Sequence, residues 1–339
     1  MKRIGIMGCG VVASYGHLPA LVETPGLELA SLYDPNPEQL AQVGARFPWA
    51  KQFTDSEAFF ESGLDAVSVT SSAPAHFDNV RQAARHRKHA LCEKPLAMTE
   101  AEALEMISIM EQANLMLFTG FCYRFSPVSL RIKELVDQGA VGQVRSLRLV
   151  YLWDLHGRYE WTPEGQRIES PRRVGRMLEG GPMVDCGVHQ VDLARWWLNS
   201  EVVRQQGVGA WVEGYDAPDH MYLHLDHAGG AHTLVEMSFS YCHTAKEPLS
   251  RFSYELIGTD GLIRYDRDGW HFEVRTPHGT EYLPGASEKN FHGMYQEFRN
   301  ALETGNPGHL PTGRDGVIAT RIARTATDDV IAAHKAIGK

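Results

Sequence analysis

Asp185 and His189 stand four residues apart in the stretch Gly180-Gly181-Pro182-Met183-Val184-Asp185-Cys186-Gly187-Val188-His189-Gln190-Val191-Asp192. On a helix that spacing puts a carboxylate and an imidazole on one face. Gly180-Gly181-Pro182 reads as the start of such a helix, with proline near its first turn. Histidine titrates near neutral pH, so it suits the removal of a proton from a hydroxyl. Asp185 would hold the His189 tautomer or bond a neighbouring hydroxyl. Asp192, one turn on, reads mainly as structural. The competing reading of His189 alone is a satisfied core histidine. A second group lies near the start of the chain, at Gly8-Cys9-Gly10-Val11-Val12-Ala13. Gly8 permits a tight turn, and Gly10 lets the backbone approach a pyrophosphate. Ala13 keeps the following helix close to the sheet. The N–H groups at the helix start, at Val11 and Val12, together with its dipole, attract the anion. An ordinary strand-to-helix turn is the competing reading. A dinucleotide site also wants an acidic residue at the end of the second strand, and Asp34 is there. Its carboxylate accepts ribose hydroxyls and repels a 2′-phosphate. No Arg or Lys follows before Arg46, so NAD is favoured over NADP.

The elements that position these residues change character along the chain. Strand patterns over residues 3–7, 27–33, 66–70, 89–92 and 115–120 alternate with helical stretches over 11–22, 37–47 and 79–86. Another helix opens at Thr99, with Glu102 completing a capping box. Strands alternating with helices predict a doubly wound parallel sheet, a Rossmann domain over residues 1–122. After about residue 123 long strand candidates dominate, at 144–153, 202–212, 221–227, 232–241, 252–257, 262–265 and 270–276. In 232–241, Thr233, Val235, Met237, Phe239 and Tyr241 alternate with His232, Glu236, Ser238 and Ser240. That period of two marks a sheet with one buried face. Two helices, 291–303 and 313–335, close the chain. The fold class is therefore α/β, with an α+β domain over 123–339 built on a large, mainly antiparallel open sheet.

Composition narrows the function. The net charge is −9 with no basic run, which argues against a nucleic-acid binder. The five cysteines form no CxxC pair, fitting reduced thiols and a cytoplasmic location. No stretch reaches membrane-spanning length, and the first residues run straight into a strand without an apolar signal core. None of the sixteen histidines falls into zinc spacing, so no metal is expected. The segment 154–177, with Trp153, Tyr159, Trp161 and arginines 158, 167, 172, 173 and 176, has two readings. Its aromatics can stack on a sugar and its arginines clamp an anion, or it is a solvated loop at a subunit contact.

Cys92-Glu93-Lys94-Pro95-Leu96 ends the fourth strand, and Ser71-Ser72-Ala73-Pro74-Ala75-His76 follows the third. With the Gly180 to Asp192 stretch, these resemble the Gfo/Idh/MocA family of oxidoreductases, which includes glucose–fructose oxidoreductase and inositol dehydrogenase. The resemblance spans essentially the whole chain, including Val141-Gly142-Gln143-Val144. The chain departs from it where Ser71-Ser72 replaces a usual Thr-Pro and where Pro182 stands for a third glycine. The resemblance implies that Glu93 and Lys94 lie beside the nicotinamide, with Lys94 reaching the reacting oxygen. Pro95 would fix the turn, often through a cis bond. Ser71, Ser72 and His76 would line the adenine-to-nicotinamide path. Asp185 and His189 would enter the same cleft from the C-terminal domain. Lys94 then supplies a cation where alkoxide charge develops. Should His189 not be the base, Lys94 itself or Tyr123 is next. The implied activity is hydride transfer between NAD and a secondary alcohol of a sugar or polyol, in a homodimer or homotetramer joined through the C-terminal sheet. Two alternatives remain: an NAD-retaining glycosidase working by oxidation and elimination, and a non-catalytic NAD(H) sensor. NADH accumulation with free polyols separates the dehydrogenase from the glycosidase.

Overall fold

The computed structural model describes every residue except 154–158, 163, 242–244, 246, 248 and 337–339, and the backbone alone at 159–161 and 167. Arg158 and Cys242 thus lie outside the described residues, as do the side chains of Tyr159, Trp161 and Arg167. The chain divides into two units, Met1–Phe125 with Lys289–Thr320, and Ser126–Glu288 with Arg321–Lys339. The first boundary falls three residues past the expected 122. The return of residues 289–320 to the first unit differs from the expected split. Helix Phe291–Thr304 packs on helix Leu18–Glu23, and Phe298 meets Phe118 edge to face. Both are first-unit surfaces, and an apolar helix face joins whichever sheet buries it, regardless of sequence distance.

Short apolar runs build the first unit. Strands β1 (Lys2–Met7), β2 (Leu27–Tyr33), β3 (Lys51–Phe53), β4 (Ala66–Val69), β5 (His89–Cys92) and β6 (Leu117–Thr119) form one parallel sheet in the order β3-β2-β1-β4-β5-β6. β4 is buried at every residue, as a strand covered on both faces must be. The order reverses between β1 and β4, and ligands of such sheets bind at that switch point. β1 delivers Gly8 there, and β4 delivers Ser71. Helix Glu100–Gln112 starts with the expected capping box: Glu102 N–H donates to Thr99 Oγ1 at 3.2 Å, and Thr99 N–H to Glu102 Oε2 at 3.0 Å. The helix expected over 11–22 is present over residues 11–23, with a π-helical turn, Ala13–His17, set into it ahead of α-helix Leu18–Glu23.

The second unit is built on β7 (Val144–Leu152), β8 (Tyr159–Trp161), β9 (Arg167–Glu169), β10 (Val202–Ala210), β11 (His220–His227), β12 (His232–Ser238), β13 (Arg251–Gly258), β14 (Gly261–Asp266), β15 (His271–Thr276) and β16 (Gly279–Leu283). Eight of them form a sheet in the order β10-β11-β12-β7-β13-β14-β15-β16, antiparallel except where β12 meets β7. Its register aligns apolar side chains into rows across the strands. Leu223, Val235, Leu149, Tyr254, Tyr265 and Phe272 form one such row, and all are buried. Trp197, on helix Val188–Leu198, packs edge to face on Tyr254 at 5.0 Å, so this helix covers that face. On β12 and just beyond it, Glu236, Ser238 and Ser240 were expected to face solvent but are buried. Arg148 and His220 cover Glu236, and Ser240 donates to Asp219, so the polar positions gain partners instead of water.

Candidate functional site

In the first unit the site starts from Gly8. Its φ is +102°, and a Cβ there would lie 2.5 Å from the Ser71 backbone nitrogen. Only glycine fits such a conformation at such an approach. At Gly10 an added Cβ would meet nothing within 4 Å, so the loop backbone is bare on that side. Val11 and Val12 follow at the first helical turn, whose N–H groups have no carbonyl a turn behind them. Val11 is exposed. Asp34, just past β2, reaches back to the loop. Its Oδ2 accepts from Cys9 N–H at 2.8 Å and its Oδ1 from Asn36 N–H at 2.9 Å. Gln39 holds the loop from the other side by donating to the Cys9 carbonyl at 2.7 Å. Arg46 donates to the Ser14 carbonyl at 3.3 Å, so its guanidinium lies along the first helix. Burial, with the neighbouring Asp34 charge, pushes the Cys9 thiol up to about 12, which leaves it a filler and no nucleophile.

Hydrogen bonds carry this path on to the Glu93-Lys94-Pro95 corner. Thr70 Oγ1 donates to the Gly8 carbonyl at 2.6 Å, and Asn79 donates to Ser71 Oγ at 2.8 Å. His76 is buried, with Nε2 3.1 Å from the Ser71 carbonyl and Nδ1 2.9 Å from the Pro95 carbonyl. It therefore staples the segment after β4 to the segment after β5. Burial pushes this imidazole below its ordinary value, although both carbonyls favour the proton. Ser72 stands at the N-cap position of the short 3₁₀ turn Ala73–Ala75, and its carbonyl, not its side chain, accepts from Ala75 N–H at 2.9 Å. The Lys94–Pro95 peptide is cis. Glu93 is buried, and its Oε2 accepts from Lys94 N–H at 3.2 Å. Two residues that the sequence reading passed over meet Glu93 or its partner. His17 Nε2 lies 2.8 Å from Glu93 Oε1, and Tyr295 OH lies 2.9 Å from His17 Nδ1. A histidine inside the apolar run Gly16-His17-Leu18-Pro19-Ala20-Leu21 was the available signal.

In the second unit Gly180 and Gly181 have φ of +121° and +71°, and Pro182 follows them as the N-cap. The helix again opens as a π turn, Met183–Gly187, before Val188–Leu198. Such turns recur at functional sites because they re-aim side chains. Asp185 falls in the π turn and His189 one turn on, both buried. Asp185 Oδ2 accepts from the Cys186 thiol at 3.4 Å, and its Oδ1 lies 3.8 Å from Arg176 Nε. Burial works against the Arg176 charge, but Asp185 and Glu179 outweigh it and raise its affinity for the proton. Asp192 is fully buried. Arg173 is fully buried too, paired with Glu213 at 3.1 Å, so this guanidinium supports the fold. Among the described residues no group of three His, Cys, Asp or Glu side chains could hold a metal ion, and no helix is long and apolar enough to cross a membrane.

A dinucleotide-binding parallel sheet joined to a second unit built on a large mixed sheet defines a class of oxidoreductase. Residues 2–121 match the Gfo/Idh/MocA oxidoreductase family with an NAD-binding Rossmann fold, and residues 129–264 match the Gfo/Idh/MocA C-terminal domain. The chain belongs to this family. It is 27% identical over 280 residues to D-apiose dehydrogenase of Rhizobium rhizogenes, covering 81% of this chain and 76% of that protein. It is 26% identical to the scyllo-inositol 2-dehydrogenase (NAD(+)) of Bacillus subtilis, covering 77% of this chain and 72% of that one. In fold it is similar to levoglucosan dehydrogenase in complex with NADH and levoglucosan, with a TM-score of 0.84 over 98% of this chain and 97% of the other at 21% identity.

Proposed function

We propose that this protein oxidises a secondary alcohol of a cyclic sugar or polyol, with NAD as hydride acceptor. The observation that carries the reading is the continuous path from Asp34 through Cys9, Gly8, Ser71 and His76 to Pro95. A carboxylate for ribose stands at one end and the Glu93-Lys94 corner at the other. The donors fit a dinucleotide: helix-start N–H groups at Val11 and Val12, bare backbone at Gly10, and a carboxylate fixed by two N–H groups. Bound NAD supplies the acceptor for the hydride. Ser71, Ser72, His76 and Glu93 shape its path in this reading. His189 takes the hydroxyl proton, Lys94 steadies the alkoxide, and Asp185 orients His189 or the substrate. Relatives that act on apiose, inositol and levoglucosan by name support the substrate class. The absence of any CxxC pair among the five cysteines of the sequence supports a cytoplasmic location. The C-terminal sheet is assigned the contact between copies of the chain.

The test is reduced-cofactor absorbance with D-apiose, myo-inositol, scyllo-inositol and levoglucosan, each with NAD and NADP. NADH should accumulate with at least one of them. Silence across a broad sugar and polyol panel, with cleavage of aryl glycosides and no net NADH, would replace this reading by the glycosidase. On the substrate found, Lys94→Ala and His189→Ala should each slow turnover about 10²–10⁴-fold, as loss of a positioned acid–base group does. Near-normal turnover in His189→Ala would move the base to Lys94 or Tyr123.

A further inference from the structure

The π turn that follows the dinucleotide loop ends on His17, which is fully buried. Its Nε2 lies 2.8 Å from Glu93 Oε1, and its Nδ1 lies 2.9 Å from the Tyr295 hydroxyl. Tyr295 donates in turn to Ser68 Oγ at 2.8 Å. Four segments of the first unit thus contribute to one buried polar chain: the first helix, β4, the end of β5, and helix Phe291–Thr304. The hydrogens follow by elimination. The Tyr295 hydrogen points to Ser68, so its oxygen accepts from His17 Nδ1–H. His17 Nε2 then faces a carboxyl oxygen at bonding distance, and two lone pairs cannot share that gap without a hydrogen. A hydrogen therefore bridges His17 Nε2 and Glu93 Oε1, and the two buried side chains hold each other in place.

The surroundings are cut to this arrangement. A Cβ at Gly120 would lie 2.7 Å from Glu93 Oε1. A Cβ at Gly16 would lie 2.7 Å from the Phe291 ring, which packs 5.0 Å from the His17 ring. A helix start facing a core has no packing need for an imidazole, a phenol and a hydroxyl, and each carries a desolvation cost. What the chain does is hold the Glu93 carboxyl, whose other oxygen accepts from the Lys94 main chain at 3.2 Å. We propose that His17 and Tyr295 are positioning residues: they clamp Glu93 and, through it, set where Lys94 starts. This rests on the reading of Lys94 as the group at the reacting oxygen.

The test compares Tyr295→Phe, His17→Asn, their double variant and Lys94→Ala, using the best-turned-over member of the sugar and polyol panel. NADH fluorescence counts folded sites and measures cofactor affinity, and melting is followed without cofactor. Tyr295→Phe keeps the ring that packs on Phe298 and removes only the hydroxyl. Turnover per NADH-binding site should fall about 10- to 100-fold in Tyr295→Phe and further in His17→Asn, the scale on which a small misplacement acts. NADH affinity should hold within about threefold, since the pyrophosphate and ribose contacts lie elsewhere. The double variant should lose no more than His17→Asn alone, in turnover and in melting temperature, because the tyrosine acts through the imidazole. Turnover per site within about twofold of wild type in both single variants, with Lys94→Ala inactive, overturns the proposal. If Lys94→Ala keeps its rate, the role given to Lys94 is wrong. The clamp is then judged by melting alone, and additive losses overturn it.

Discussion

Asp34 shows how much of a specificity depends on where a carboxylate is held. Cys9 and Asn36 each donate a backbone N–H to it, one to each oxygen. The group is thereby aimed as well as charged, and the cation that would welcome a 2′-phosphate is absent from the adjoining sequence up to Arg46. Asp34→Ser should lower the preference for NADH over NADPH, measured as a ratio of dissociation constants, by about tenfold or more, equivalent to about 1.4 kcal/mol of lost discrimination. Tighter NADPH binding by the unaltered protein would sink the assignment. His76 makes a different prediction, about pH. Desolvation lowers its pKa in the folded protein below the ordinary 6.5, with the backbone bonds of Ser71 and Pro95 opposing. Below about 6.5 the unfolded chain takes up a proton that the folded chain resists, so stability due to His76 is present above that pH and lost as the pH falls. The melting-temperature gap between wild type and His76→Asn should narrow as the pH drops from 7 towards 5. A gap that widens over that range would mean that the folded protein holds His76 charged.

At the scale of elements, the two glycines of the first loop separate conformation from access. Gly8→Ala sets a Cβ against the Ser71 backbone at a φ of +102° and should destabilise the cofactor-free protein by about 1–3 kcal/mol, read as a lower melting temperature. Gly10→Ala meets nothing within 4 Å, so it should melt normally and weaken only NADH binding. Equal melting of the two variants would show that the loop relaxes freely. The same contrast marks what was legible in the sequence. Parallel strands such as β4 stand out as apolar runs because both faces are buried, and the capping box at Thr99 and Glu102 is a local rule that the structure keeps. Strand β3, Lys51–Phe53, was missed because a three-residue exposed edge has no periodicity, and helix Ser56–Phe60 was missed because its cap, Asp55, serves only one turn. Helix Pro127–Asp137 buries Val128, Ile132 and Leu135 at helical spacing, so it was readable, but it falls where the pattern changes from one unit to the next. Around the first loop, Gly8 was legible because its backbone conformation has a local reason. His17 and Tyr295 were not, because their partner Glu93 is brought to them only by the fold. The π turns at Ala13–His17 and Met183–Gly187 escaped for a related reason: one residue of extra pitch leaves no mark in a hydrophobic pattern.

For the whole molecule, the second sheet poses a question that its own register helps to answer. One face is the apolar row that helix Val188–Leu198 covers through Trp197 and Tyr254. Across the strands the opposite side reads His224, Leu234, Arg148, Glu255, Arg264 and Glu273, with basic and acidic groups side by side. Arg148 pairs with Glu236 at 2.9 Å, and Arg275 with Glu273 at 2.8 Å. A surface carrying both signs in alternation can meet a copy of itself across a two-fold axis without like charges facing, which a face of one sign cannot. Such a contact must bury at least about 1,000 Å² to be stable. Light scattering at micromolar concentration should therefore give a dimer or tetramer. Glu255→Arg, which puts three positive charges in a row with Arg148 and Arg264, should shift the mass towards monomer while leaving NADH binding in the first unit unchanged. Because Glu255 is exposed, the substitution should have little effect on the fold of a single copy. A wild-type protein that scatters as a monomer would sink the self-association outright. An oligomer that survives Glu255→Arg would move the contact to another surface.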